Sequence, residues 1–218
     1  MAIVVQDALD SDIPRSLEIE RFAYNKGASA TTDPFLLAFF PGPIPADSVE
    51  QRVNRFISER KNDPTVRYVK AVDEKTGEMI SFAKFYIFDT PERAAAAERT
   101  VPSGEGINKE ACDLFFGEMG RKKKKIMGSR PHIFVHGCHT DPKQQRRGAA
   151  GLLMKWGMQK ADELGIPMYL ESNYDAHGFY KKLGFQDVEI FEADLSRFSG
   201  VQYTLKTPLM IREPSVRS

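Results

Sequence analysis

The passage Pro142-Lys143-Gln144-Gln145-Arg146-Arg147-Gly148-Ala149-Ala150-Gly151 constrains this chain more than any other. It lies between a β-compatible run and an amphipathic one. Before it, residues 132–140 alternate in polarity and read as a strand, which Asp141-Pro142 ends because proline cannot donate to a ladder. After it, Ala149, Leu152, Leu153 and Trp156 fall at i, i+3, i+4 and i+7, one face of a helix running over about 147–164. Gly165 and Pro167 terminate that helix. The first N–H groups of a helix have no internal partner, and the helix dipole adds positive charge there. Small residues let a bulky anion come close to that backbone, so the passage suits a pyrophosphate. Arg146 and Arg147 add cationic donors. A P-loop would need Lys-Ser/Thr after its second glycine, and none follows. A dinucleotide fingerprint would follow the first strand of a βαβ unit with a well-placed acid downstream, whereas this loop comes late and Glu171 is only loosely placed. The plain alternative is a helix start packed close to a strand.

The rest of the chain supplies the sheet that such a loop requires. Residues 2–8 read as a strand, Asp10 to Asp12 as capping residues, and the chain from Pro14 to about Tyr24 as a helix. Residues 27–44 read as irregular but strongly apolar, either packed on the core or forming the wall of a ligand pocket. A helix is expected over about 48–61, then a hairpin of strands 66–72 and 79–88 around the turn Asp73-Glu74-Lys75-Thr76-Gly77. Residues 94–97 should be helical, residues 101–106 break the helix, and a second helix covers about 109–127. That helix ends in Arg121-Lys122-Lys123-Lys124-Lys125, read as a solvated helix end, with a nuclear-import signal or anionic-surface patch as the sharper alternative. Residues 168–171 form a strand. Ala176, Phe179, Tyr180 and Leu183 show helical spacing before Gly184, and residues 185–193 and 202–211 close the sheet. The pattern predicts a mixed α/β domain over 1–218 built on one sheet, with a helical insert at about 89–130.

Composition narrows the partners. With 218 residues, 41% hydrophobic and 28% charged, the chain fits one soluble domain, and a net charge of +1 points to neither nucleic acid nor membrane. No apolar run approaches the roughly 20 residues of a membrane helix, and the first residues do not resemble a signal peptide. Two cysteines, Cys112 and Cys138, suggest a reducing setting, hence a cytoplasmic protein with the nucleus as the alternative. Of the four histidines, His132, His136 and His139 share a strand, with His139 expected to alternate differently from the other two, and no metal site is expected. His177 reads as a solvent-facing or capping residue.

Gln145-Arg146-Arg147-Gly148-Ala149-Ala150 matches, without a gap, the Gln/Arg-x-x-Gly-x-Gly/Ala motif that follows the fourth strand in the GNAT superfamily of N-acetyltransferases. Phe179-Tyr180-Lys181-Lys182-Leu183-Gly184-Phe185 is similar to that family's tyrosine helix and closing Gly-Phe. Thr140-Asp141-Pro142 and Asp12-Ile13-Pro14 also look familial. The resemblance spans 132–186, extends over 1–88 and does not cover 89–130. It implies a central, mixed but mostly antiparallel sheet flanked by helices, and acetyl-coenzyme A as acetyl donor. Backbone groups of Cys138 and Thr140 would pair with the pantetheine arm, and Asn173 would lie near it. Gln145 opens the motif, and backbone N–H groups of Arg146, Arg147, Gly148, Ala149, Ala150 and Gly151 would hold the pyrophosphate. Tyr180 would be the general acid: a phenol of pKa near 10 can protonate a thiolate of about 8.5. His136 would be the base, its ordinary pKa near neutrality suiting that role. Phe134 stands where histone-type members carry glutamate, which counts against a histone-type mechanism. Cys138 reads as a half-buried strand residue and not a nucleophile.

The acceptor expected from this resemblance is a small, aromatic or apolar primary amine lodged against Phe35, Phe39, Phe40 and Phe198, between the 27–44 loop, the insert and the 194–200 connection. Acetylation of protein N-termini or lysines is the alternative, and a non-catalytic acetyl-coenzyme A-binding module is the third. A monomer or homodimer is expected.

Overall fold

The computed structural model describes residues 2–24, 33–43 and 45–215. Its strands are β1 (Ile3–Asp7), β2 (Val66–Asp73), β3 (Met79–Phe88), β4 (His132–Thr140), β5 (Met168–Glu171), β6 (Gln186–Asp194) and β7 (Thr204–Arg212). Its helices are α1 (Ile13–Tyr24), α2 (Pro34–Phe39), α3 (Ser48–Asn62), α4 (Pro91–Ala96), α5 (Lys109–Cys112), α6 (Glu118–Met127), α7 (Ala149–Leu164), α8 (His177–Lys182) and α9 (Ser196–Ser199). The strands make one sheet in the order β1-β2-β3-β4-β5-β7-β6. Every neighbouring pair is antiparallel except β4 and β5, which α7 joins as a crossover. This is the mixed, mostly antiparallel single sheet expected from the sequence.

Each face of the sheet carries its own core. On one face Ala83, Phe85, Ile133 and Val135 pack against Ala149, Leu153 and Met154 of α7 and against Tyr180 and Phe185. The line of α7 that docks is Ala149, Leu153, Gly157 and Ala161, while Leu152, expected inward, is exposed. Gly157 decides the rotation: a Cβ there would stand 2.8 Å from Phe85 Cε1, so only glycine lets the helix approach this closely. The opposite face is covered by α1 and α3 around Ile13, Leu17, Phe56 and Tyr68, and by α2 and the 89–130 segment around Phe39, Phe115, Phe134 and Tyr169.

Three local expectations are corrected. The 27–44 stretch contains a helix, because the Asp33 side chain accepts from the Phe35 N–H at 2.9 Å and Pro34 suits a first turn. The helix expected over 109–127 is interrupted by a π-helical turn at Asp113–Gly117, which brings the consecutive Phe115 and Phe116 within 5.5 and 5.0 Å of the Phe39 ring. The basic run is not uniformly solvated: Arg121, Lys124 and Lys125 are exposed, but Lys123 is buried under the sheet-facing side of α6.

Candidate active site

β4 and β5 are paired only at Ile133–Met168, Phe134–Tyr169 and Val135–Leu170. At that point the register between β3 and β4 shifts: Phe85 faces Val135 and Lys84 faces Gly137, so His136 is an extra residue. A bulge of this kind bends and twists its strand. Among the described residues, the stretch from His136 to Thr140 therefore has no β5 partner. Its polar backbone edge is available to an extended ligand, as at any sheet edge. On the β3 side it is fixed firmly. The Ser81 hydroxyl lies 2.7 Å from the His139 carbonyl and 2.8 Å from the Thr140 hydroxyl.

The bulge also resets which way the histidines point. His132 lies 5.1 Å from the Phe88 ring, His136 5.7 Å from Tyr86 and 5.8 Å from Phe134, and His139 5.3 Å from Tyr24 of α1. All three thus share the α1/α3 face, which corrects the expectation that His139 alternates away from the other two. Cys138 points to the opposite core, where burial pushes its thiol up to about 12 and keeps it neutral. Among the described residues no three His, Cys, Asp or Glu side chains gather within reach of one metal ion.

β4 leads straight into the start of α7. Asp141 receives the Lys143 N–H at 2.9 Å on one carboxylate oxygen and Arg15 of α1 at 2.6 Å on the other. Arg146 and Gly148 hold left-handed conformations, φ 61° and 88°, which turn the chain so that α7 begins at Ala149. A Cβ placed on Gly148 or Gly151 would meet no atom within 4 Å, so the space over this backbone is open. Ala149, Ala150 and Gly151 carry first-turn N–H groups that lack a partner inside the helix. The side chains of Gln145 and Arg146 are exposed. The guanidinium of Arg147 is instead bonded to Gln144 and, at 2.6 Å, to Asp73 at the end of β2, whose carboxyl it holds below the usual range. Arg147 therefore contributes as an anchor of the loop.

Tyr180 approaches the same opening from the α7 face. It is 9% exposed, lies 5.1 Å from Phe179 and 5.8 Å from Phe185, and its hydroxyl has no hydrogen-bond partner among the described residues. Burial, reinforced by nearby Cys138 and Tyr24, pushes its pKa well above that of free tyrosine, so it stays protonated. His136 stands on the other face, exposed on one side and walled by Tyr86 and Phe134 on the other. Desolvation, aided by Lys84 and Arg99, drives its pKa well below the ordinary value and leaves its ring neutral. Asn173 is exposed and uses its side-chain oxygen to accept the Ala176 N–H at 2.8 Å. His177, at the start of α8, pairs with Asp187 at 2.7 Å.

The aromatic residues divide into two kinds. Phe39 is fully buried between Phe35, Phe40, Phe115 and Phe116, so it backs the wall without forming its surface. Phe35, Phe40 and Phe198 remain partly exposed where α2 meets α9. The chain after α2 is tied to the 89–130 segment: Gly42 N–H donates to Gly106 O at 3.1 Å and Asn108 N–H to Phe39 O at 2.9 Å. Here two backbones cross so closely that a Cβ on Gly42 would lie 2.3 Å from Gly106 Cα.

Two buried polar clusters beside His136 escaped sequence reasoning. Glu59 of α3 accepts from Lys84 at 2.6 Å, from the Tyr68 hydroxyl at 2.8 Å and from the Tyr86 hydroxyl. Arg99 pairs with the buried Glu171 at the end of β5. The available signal for the first was a lysine inside the otherwise apolar run of β3.

The parallel strand pair parts at a bulge and opens onto an uncovered helix start near the buried Tyr180, an arrangement suited to an extended, anionic acyl donor. The chain belongs to the acetyltransferase (GNAT) family, whose family model matches residues 33–185. It is 31% identical over 116 residues to a probable acyltransferase SID5 of Ajellomyces capsulatus, an alignment covering 53% of this chain and 79% of that protein. Its fold is similar to a histone acetyltransferase HPA2 and related acetyltransferase of Corynebacterium glutamicum, with TM-score 0.60 and 18% identity over 100% of this chain and 99% of that one. It is also similar to a phosphinothricin acetyltransferase of Sinorhizobium meliloti solved with acetyl-coenzyme A, with TM-score 0.60 and 17% identity over 99% and 90% of the two chains. Among the described residues no helix is long and apolar enough to cross a membrane.

Proposed function

We propose that the protein transfers an acetyl group from acetyl-coenzyme A directly to the primary amine of a small molecule. The observation that carries this reading is the parting of β4 from β5 at His136, with Tyr180 on one face of the opening and His136 on the other. The residues fit the donor. The free edge near Cys138 and Thr140 suits the amide-rich pantetheine arm, and Asn173, exposed just after β5, would lie near it. The open backbone from Arg146 to Gly151 suits the pyrophosphate. Bound there, the thioester supplies the activated acetyl group.

The chain's own residues would then manage protons. An amine must lose a proton to attack; neutral His136 has a lone pair to accept it, directly or through one water, but its lowered pKa makes it a weaker base than the near-neutral histidine expected from the sequence. Tyr180 holds a proton for the departing sulfur; burial makes it a weaker acid than free tyrosine, so the transfer relies on its position beside the charge developing on sulfur. Phe35, Phe40 and Phe198 favour an acceptor with an aromatic or apolar body, with Phe39 supporting them from behind. Thiol release from acetyl-coenzyme A across an amine panel tests the reading. Tyr180→Phe and His136→Ala should each lower turnover by about tenfold or more, as expected of acid–base groups. Unchanged turnover in both variants would remove these roles, and a strong preference for polyamines over arylalkylamines would remove the apolar acceptor.

A further inference from the structure

Within the basic run of α6, Lys123 differs from its neighbours in being only 7% exposed. Its ammonium stands 4.7 Å from the centre of the Phe88 ring and 4.6 Å from that of Phe134, a ring that also lies 5.8 Å from His136. It makes no hydrogen bond or ion pair among the described residues. The acid nearest in influence, Glu171 of β5, is already paired with Arg99. Around it also stand buried His132 and the His136 ring desolvated against Tyr86 and Phe134, both with lowered pKa, and the Tyr169 phenol, which burial keeps protonated. This stretch of the sheet face therefore holds two cations, Lys123 and Arg99, and one carboxylate, Glu171.

A buried ammonium is costly unless an anion compensates it, and the faces of two aromatic rings offset only part of that cost. Nor is the group sealed away. The fully enclosed side-chain polar atom without a partner among the described residues is His132 Nε2, and the Lys123 nitrogen is not in that position. We propose that Lys123, supported by Arg99, recognises a carboxylate on the acceptor at the end remote from its reacting amine. This rests on the acetyltransferase reading and deepens it: the acceptor is an amino-acid-like amine with a carboxylate, not a simple amine or polyamine. Burial depresses the uncomplexed lysine to about 8, so recognition of the carboxylate should fade as pH rises through that value, a range in which His132 and His136 stay neutral.

Matched compounds decide it. Aminomethylbenzoate and a series of ω-aminoalkanoates are compared with their carboxamides by steady-state kinetics and, independently of turnover, by calorimetric binding to the acetyl-coenzyme A-loaded enzyme. The best carboxylate should exceed its carboxamide by about tenfold or more in kcat/KM, mainly through KM, and likewise in affinity. Lys123→Met, which keeps an unbranched apolar chain against Phe88 and Phe134, should bring the acid-to-amide ratio close to one. Lys123→Arg should retain a preference for the acid. Equal binding of acid and amide by the unaltered enzyme, or a preference that survives Lys123→Met, overturns the proposal. Carboxylate-selective binding without transfer to any amine would overturn the acetyltransferase reading and leave the anion subsite standing.

Discussion

Replacing Glu59 with leucine should strand a buried charge. Its carboxylate is the acid that Lys84 meets at 2.6 Å, and the Lys84 side chain is only 6% exposed against 23% for Glu59. The same carboxylate accepts from the Tyr68 and Tyr86 hydroxyls. Burial disfavours the charge of Lys84 more than Glu59 restores it, so the lysine sits below its ordinary range even with its partner present. Removing one member of such a pair costs about 3–5 kcal/mol. With Glu59 partly exposed the lower end applies, about 3 kcal/mol, or a fall in Tm of about 6–12 °C for a domain of this size. Adding Lys84→Met removes the stranded ammonium and should recover at least about 2 kcal/mol of that loss. Acid should act in the same direction. Burial opposes the Glu59 charge, but Lys84 and the tyrosine donors outweigh it and hold the group below the usual carboxylate range. Its contribution is thus complete above an unfolded pKa of about 4.3 and is lost as pH falls through the lower folded value, a loss the double variant should not show. Urea and thermal denaturation followed by circular dichroism measure all of this. A single variant within about 2 °C of the unaltered protein, or a double variant whose losses simply add, would refute the account.

Two further perturbations separate backbone and proton effects. Gly148→Ala forces a side chain into φ 88°, where its Cβ touches nothing, so conformational strain alone should lower stability by about 1–2 kcal/mol. The same change should raise KM for acetyl-coenzyme A in initial-rate assays by disturbing the start of α7. His132 is driven down to about 4, chiefly by burial, from an ordinary 6.5. Its folded pKa is the lower, so its contribution is complete above 6.5 and is lost as pH falls toward 4, about 3 kcal/mol over the window. His132→Asn should flatten the stability–pH curve there, and an unchanged slope would assign the loss to other groups.

Most of the scaffold was legible in local residue patterns. Short-range rules sufficed for β1 to β7 and for α1, α3, α7 and α8, because proline, glycine and apolar spacing act over a few residues. The motif from Gln145 to Ala150 and the Tyr180 helix were legible for the same reason, and their family assignment is matched over residues 33–185. Even the helix at Pro34–Phe39, read as irregular, had its signal in Asp33-Pro34.

What surrounds the candidate site depended instead on contacts that exist only after folding. A strand pattern of period two cannot reveal a bulge, so the common face of His132, His136 and His139 appears only once Lys84 and Phe85 are paired across β3 and β4. Arg147 looked like a phosphate ligand until Asp73, distant in sequence, was found bonded to it. Lys123 looked solvated because a helix end is usually so, until the sheet beneath α6 buried it between Phe88 and Phe134. In each case the cause is the same. Charge and orientation at a site depend on partners brought together by folding, and local sequence carries no record of which distant residue will be the partner.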